Sequence, residues 1–158
     1  MSENKRVKNA TQIKDGKLTF KSKLEHRFYI EQKSQGLKFK YEPVEFQILE
    51  SFRCENINFY HPKGKIFKRH STSYGQSEKI IGIYYTPDFV FQNKSSIFVV
   101  EVKGYPNESY NIRRKLILKF LGQYQRDTGK QIYFFEPHTV SQVVETVRII
   151  KEKINERT

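Results

Sequence analysis

Asp88, Glu101 and Lys103 are the residues of this chain whose types and spacing can do chemistry together. Asp88 stands in Pro87-Asp88-Phe89, and Glu101 and Lys103 stand in Glu101-Val102-Lys103-Gly104, which begins twelve residues after the first segment ends. The apolar stretch Ile80 to Tyr85, just before Asp88, reads as one strand, and Ile97-Phe98-Val99-Val100-Glu101-Val102-Lys103 reads as a second. Side chains alternate along a strand, so Glu101 and Lys103 point the same way. If the two strands are hairpin partners, Asp88 meets them across the ladder. Two carboxylates and an ammonium then converge at a sheet edge. That set can hold a divalent metal against a phosphate and activate a water beside it.

Each of these residues has a plainer reading. An Asp after Pro is a common turn residue, but Phe89-Val90-Phe91 continues as strand and embeds Asp88 in apolar surroundings. Glu101 suits the wet face of an amphipathic strand, yet its strand is almost continuously apolar and reads as buried on both faces. A charge there needs a partner, either Lys103 or a metal. Lys103 as a simple ion-pair mate for Glu101 is disfavoured by their separation of two on one strand. A third acid, Glu25, closes the sequence Ser22-Lys23-Leu24-Glu25, which has the form of a helix-capping box. Glu25 either folds back on that cap or leans toward the sheet and a metal; a glutamate on its cap does not also reach an ion.

The elements around these residues follow from pattern. Residues 1–17 lack periodicity and carry Lys5, Arg6, Lys8, Lys14 and Lys17, a mobile basic arm. A helix starts at Ser22, with Leu24 and Phe28 in register and Gly36 placed to end it. Leu37 to Tyr41 and Glu45 to Phe52 alternate as strands on either side of Pro43. The stretch 53–79 reads as a basic insertion with Lys63, Lys65, Lys68, Arg69 and Lys79, containing a projecting hairpin whose turn falls at His61-Pro62-Lys63-Gly64. Ser109 is placed to cap a helix bearing Ile112, Leu116, Ile117, Phe120, Leu121 and Tyr124 on one face. Arg113, Arg114, Lys115 and Lys119 stand on the other. Gln131 to Glu136 reads as a buried strand, and Ser141 as the cap of a closing helix with Val143, Val147, Ile150 and Ile154 in register. The order predicts an α/β fold, a mixed central sheet flanked by helices, in a single domain over residues 18–158.

Composition narrows the partners. Hydrophobic residues make up 37% of the 158, with 13 Phe and 10 Tyr, enough for a packed core. A balance of 29 Lys and Arg against 17 Asp and Glu gives +12, which points to a polyanion. Nucleic acid fits better than membrane, because no strongly amphipathic basic helix dominates. Between Lys103 and Lys130 seven basic residues face two acidic ones, although a solvated helix face is the common explanation for such a run. Cys54 is alone and His26, His61, His70 and His138 lack ligand spacing, which speaks against a disulfide framework and against zinc. The polar start has no apolar leader and no apolar run approaches membrane-spanning length, so a soluble, cytoplasmic protein is expected.

Taken together, Pro87-Asp88 followed by Glu101-Val102-Lys103 resembles the signature of the PD-(D/E)xK nuclease superfamily. Phe20-Lys21-Ser22-Lys23-Leu24-Glu25, Gly36-Leu37-Lys38-Phe39-Lys40-Tyr41-Glu42, Tyr85-Thr86-Pro87-Asp88-Phe89 and Val102-Lys103-Gly104 are similar to the motifs of its phage endonuclease I family, the Holliday-junction resolvases. The likeness covers residues 20–52 and 83 to about 124 and fails between them, where this chain is much longer. The resemblance implies a restriction-endonuclease-like fold, Glu25, Asp88 and Glu101 as metal-binding acids, Lys103 as the catalytic lysine, and Phe89 and Gly104 as structural residues.

The expected activity is Mg²⁺-dependent hydrolysis of DNA phosphodiesters, with Mn²⁺ as a substitute and Ca²⁺ binding without good turnover. Asp88, Glu101 and the Val102 backbone carbonyl would hold the ion, with Glu25 supporting a second ion or a water. Arg113, Arg114, Lys115 and Lys119, with Lys65, Lys68 and Arg69, would grip DNA phosphates. The resemblance further implies an intertwined homodimer cutting branched DNA, and the host cytoplasm if the chain is phage-encoded. A general or repair nuclease on duplex, nicked or single-stranded DNA is the alternative within the same chemistry. A DNA-binding module that has lost catalysis is the alternative outside it.

Overall fold

The computed structural model describes residues 11–54, 59–63, 66–70, 78–104 and 108–156. Among these the chain forms β1 (Ile13–Asp15), β2 (Leu18–Phe20), α1 (Lys23–Ser34), β3 (Lys40–Tyr41), β4 (Phe46–Leu49), β5 (Phe52–Cys54), β6 (Phe59–Lys63), β7 (Ile66–His70), β8 (Glu78–Ile80), β9 (Ile83–Tyr85), β10 (Phe89–Gln92), β11 (Ser96–Val100), α2 (Glu108–Thr128), β12 (Gln131–Phe135) and α3 (Val140–Asn155). The chain is mixed α/β and divides into two compact units, residues 1–44 with 86–158, and residues 45–85. Residues 1–10 of the expected basic arm, and Lys65, lie outside the described residues.

The first unit is built on a four-stranded mixed sheet ordered β12-β11-β10-β3, parallel between β11 and β12 and antiparallel elsewhere. Its centre is β11, Ser-Ile-Phe-Val-Val, buried at every position. β-branched and aromatic residues fit a pleated surface covered on both sides. Phe98, Val100 and Val102 join Phe20, Phe28 and Phe39 and the α3 residues Val143, Val147 and Ile150 in one core. Alternation places Ile97 and Val99 on the opposite face, and α2, which packs on β12, brings the buried Ile117 and Leu121.

The helix ends are specified locally. Ser22 caps α1 by accepting from the Glu25 N–H at 3.1 Å. At the other end Gly36 takes φ +74°, and the N–H groups of Gly36 and Leu37 return to the carbonyls of Lys33 and Gln32. This double closure needs a left-handed residue that glycine supplies without strain. Thr139, not Ser141, caps α3 through the Gln142 N–H. Ser109 lies within the first turn of α2, which begins at Glu108. Ile112, placed by periodicity on the apolar face, is 68% exposed; the buried face of α2 runs through Tyr110, Ile117 and Leu121 instead.

The second unit is a run of antiparallel pairs. Phe46 pairs with Tyr85, Phe52 with Ile80, Phe59 with His70 and Lys63 with Ile66. The pairs are nested in sequence, each lying between the strands of the one before it. This corrects two expectations. Glu45 to Phe52 and Ile80 to Tyr85 pair with each other rather than with the sheet of the first unit, and the strand continues through Pro62 so that the reversal falls after Lys63. A bulge between Gln47 and Leu49 shifts the register, and Gly82 passes so close that a Cβ there would sit 2.5 Å from the Leu49 carbonyl oxygen.

Candidate functional site

The strand that meets Glu101 is the one following Asp88, not the one preceding it. Asn93 sets this pairing: its Oδ1 accepts from the N–H groups of Ser95 and Ser96 at 3.0 and 2.7 Å, an Asx turn that closes the β10–β11 hairpin. The turn fixes Gln92 opposite Ile97 and Phe89 opposite Val100. Continued by one residue, past the end of both strands, that register sets Asp88 opposite Glu101. Beyond it the Asp88 side chain takes over from the ladder, with Oδ2 accepting from the Val102 N–H at 2.7 Å. On the other side the Glu101 and Lys103 N–H groups donate to the carbonyls of Phe135 and Pro137 at 2.9 and 3.1 Å. Glu101-Val102-Lys103 therefore stays extended past the end of β11, which keeps Glu101 and Lys103 on one side.

Lys103 Nζ stands 3.6 Å from Glu101 Oε1 and 4.7 Å from the centre of the Tyr110 ring. Tyr110, in the first turn of α2, donates its hydroxyl to Glu136 at 2.6 Å. Burial and that acceptor push its phenol far above the ordinary tyrosine range. The ammonium thus lies between a carboxylate and an aromatic face that stays neutral.

Asp88 and Glu101 are both buried, 9% and 7% exposed. Burial first, then the negative charges of Glu101 and Glu25, push the Asp88 carboxyl well above the usual carboxylate range. The Val102 N–H and the Lys103 charge oppose this without cancelling it. Asp88 Oδ1 accepts no hydrogen bond among the described residues. A buried oxygen without a donor, beside a second buried carboxylate, is a poor arrangement unless a cation or proton completes it.

Glu25 has settled on its cap. Its Oε1 accepts from the Ser22 hydroxyl at 2.9 Å, and Oε2 accepts from the Lys21 N–H at 3.0 Å and the Tyr41 hydroxyl at 2.8 Å. It lies within electrostatic reach of Asp88. Among the described residues no three His, Cys, Asp or Glu side chains gather closely enough to enclose an ion. The expected set of three acids is thus a buried pair, Asp88 and Glu101, backed by a third that serves the helix start. Lys21 forms an ion pair with Glu42. Partial burial works against its charge, yet Glu42 and the fields of Asp88 and Glu25 hold its pKa above the ordinary lysine value.

No protein-family model, curated protein or solved structure matches the chain. The site stands on its own geometry.

Of the basic residues expected to bind DNA, Arg113, Lys115 and Lys119 are exposed on α2. Arg114 is committed elsewhere: its Nε donates to both oxygens of Glu136 at 2.9 and 2.7 Å, and Nη2 reaches Oε2 at 2.6 Å. The i, i+4 spacing that puts Tyr110 and Arg114 on one face turns both toward the end of β12. Lys68 and Arg69 stand on β7 in the second unit. Phe89 is fully buried, with its ring 4.7–6.4 Å from those of Phe20, Phe28 and Tyr41. Gly104 is exposed, and among the described residues nothing lies within 4 Å of where a Cβ would stand, so their packing does not require glycine there.

Sequence reading missed four neighbours of the site: Tyr41, Tyr110, Glu136 and His138, whose Nδ1 lies 2.6 Å from the Lys103 carbonyl oxygen. Only Tyr110 had a readable signal, its position four before Arg114 on a helix. The others meet the site through pairings that no local spacing encodes. Among the described residues no helix is long and apolar enough to cross a membrane.

Proposed function

We propose that this chain is a metal-dependent endodeoxyribonuclease of the PD-(D/E)xK kind, with branched DNA such as a four-way junction as its preferred substrate and a homodimer as its working form. The observation that carries the reading is the buried Asp88–Glu101 pair with Lys103 3.6 Å from Glu101 and an unmatched oxygen on Asp88. A mixed sheet with the aspartate entering one strand and the Glu-x-Lys leaving its antiparallel neighbour supports a restriction-endonuclease-like fold.

Asp88, Glu101 and the Val102 carbonyl are hard oxygen donors suited to Mg²⁺ or Mn²⁺. A bound divalent ion would neutralise charge gathering on the scissile phosphate and acidify a water next to it. The chain's own groups do the rest. Lys103, steered by Glu101 and the Tyr110 ring, orients the attacking water and places positive charge beside the phosphate. Water oxygen bonds to phosphorus as the P–O ester bond breaks, and the departing oxygen takes up a proton. Glu25 holds the start of α1 against Tyr41 and adds negative field behind Asp88. Arg113, Lys115 and Lys119 hold flanking phosphates, which makes binding fall steeply with salt.

One assay decides. Wild type and Asp88→Asn are given a four-way junction, its component duplexes and single strands, with Mg²⁺ or EDTA. Cleavage by wild type alone, only with Mg²⁺, is expected. No Mg²⁺-dependent cleavage of any substrate defeats the enzyme reading, and equal cleavage of junction and duplex defeats the preference for branches.

A further inference from the structure

The catalytic reading leaves the second unit without a task. Between Glu55 and Glu78 the sequence has no carboxylate but carries Lys63, Lys65, Lys68 and Arg69. The backbone gathers three of these on one two-stranded antiparallel ribbon. β6 and β7 pair over five positions, with Tyr60 opposite Arg69, His61 opposite Lys68 and Lys63 opposite Ile66. Five pairs at about 3.4 Å per residue give a ribbon roughly 17 Å long, its strands about 4.8 Å apart.

A two-stranded ribbon fits the major groove of undistorted B-DNA, about 12 Å wide, whereas a minor groove of about 6 Å admits one only at the cost of deforming the duplex. Strand addition by a second copy is disfavoured, since Pro62 offers no N–H and Lys63 follows it on the same strand.

We propose that the β6–β7 ribbon lies in the major groove of a DNA duplex, the positive charge that Lys63, Lys68 and Arg69 bring to its two strands drawing the phosphates to it. The proposal rests on DNA being the partner, and adds how the duplex is held.

The test uses the full chain carrying Asp88→Asn, with and without Lys68→Gln and Arg69→Gln together. Binding to a four-way junction, a plain duplex and a single strand is measured over a range of salt. Dimethyl sulfate protection of guanine N7 reads the major groove. The double substitution is expected to weaken duplex and junction binding roughly tenfold, to flatten the log K against log salt slope by about two, and to remove N7 protection. If circular dichroism shows that it unfolds the chain, Lys63→Gln is read the same way, with a slope change of about one. Unchanged affinity and slope overturn the proposal. So do N7 reactivity that never differed between bound and free DNA, an effect confined to single strands, or a protein dimer that splits while each protomer keeps its DNA affinity. Since no cleavage is read, failure of the nuclease assay and failure of this one are separate results.

Discussion

Asp88 is the residue whose charge state bears on stability and, under the proposed function, on chemistry. Its carboxyl is held above the ordinary range by burial and by Glu101 and Glu25, so the folded state binds more protons than the unfolded state between the ordinary value and the raised one. Stability from this group is therefore present at the acid side of that window and lost as pH rises through it. In EDTA the melting temperature of wild type should fall across the window, and Asp88→Asn should flatten the fall. The asparagine oxygen can still accept from the Val102 N–H, so the variant should melt a few °C higher than wild type at neutral pH while losing all Mg²⁺-dependent cleavage. A wild-type melting temperature that climbs with pH would count against this account. Glu25→Gln tests a different role. It removes one of three accepted hydrogen bonds and should cost about 1 kcal/mol, or about 3 °C in Tm. Loss of cleavage with an unchanged Tm would instead place Glu25 on an ion.

At the scale of elements, α2 presents two different faces. Arg114 joins Tyr110 on Glu136 and ties the helix to the end of β12, whereas Lys115 and Lys119 are exposed. Arg114→Ala should lower Tm by a few °C and change DNA affinity little, because Glu136 loses its guanidinium partner, keeping only the Tyr110 hydroxyl, while the exposed lysines of α2 stay in place. Lys115→Ala with Lys119→Ala should leave Tm unchanged and flatten the salt dependence of DNA binding by about two. Thermal melts and salt titrations on both variants separate the roles. In the second unit Gly82→Ala should loosen the β4–β9 pairing, since the added methyl meets the Leu49 carbonyl and a backbone atom cannot swing aside. Faster amide exchange at Gln47 and Tyr84, relative to β11, is the expected readout.

At the scale of the whole molecule, the buried cluster around Phe98, Phe28 and Val147 draws, among the described residues, on positions before Val44 and after Thr86, all within the first unit. Phe46 and Tyr85 are ladder partners. Replacing residues 47–84 with a short turn should leave cooperative unfolding of the first unit and its divalent-ion response intact while weakening DNA binding. Calorimetry with and without Mg²⁺ checks the first, and DNA titration the second. Loss of cooperative unfolding would mean that the hairpin contributes to the fold itself.

Local grammar alone determined a good part of this protein. The Ser22 cap, the Gly36 stop, the buried strand after Ser95 and the stripe of α3 each follow from interactions within a few residues, so spacing reports them. Asp88, Glu101 and Lys103 were legible for the same reason: charges set in apolar strands need a shared site. Only the tertiary structure decided what meets what. Ile80 to Tyr85 was free by pattern to pair with either neighbour, and the Asx turn at Asn93 gave β11 to β10 instead. Glu25 had two outlets of similar merit by spacing, and the Tyr41 hydroxyl, sixteen residues away, settled it on the cap. Arg114 looked like any exposed arginine until β12 ended beside it with Glu136. Such choices depend on which distant groups arrive with an unmet charge or hydrogen bond, and sequence spacing carries no record of that.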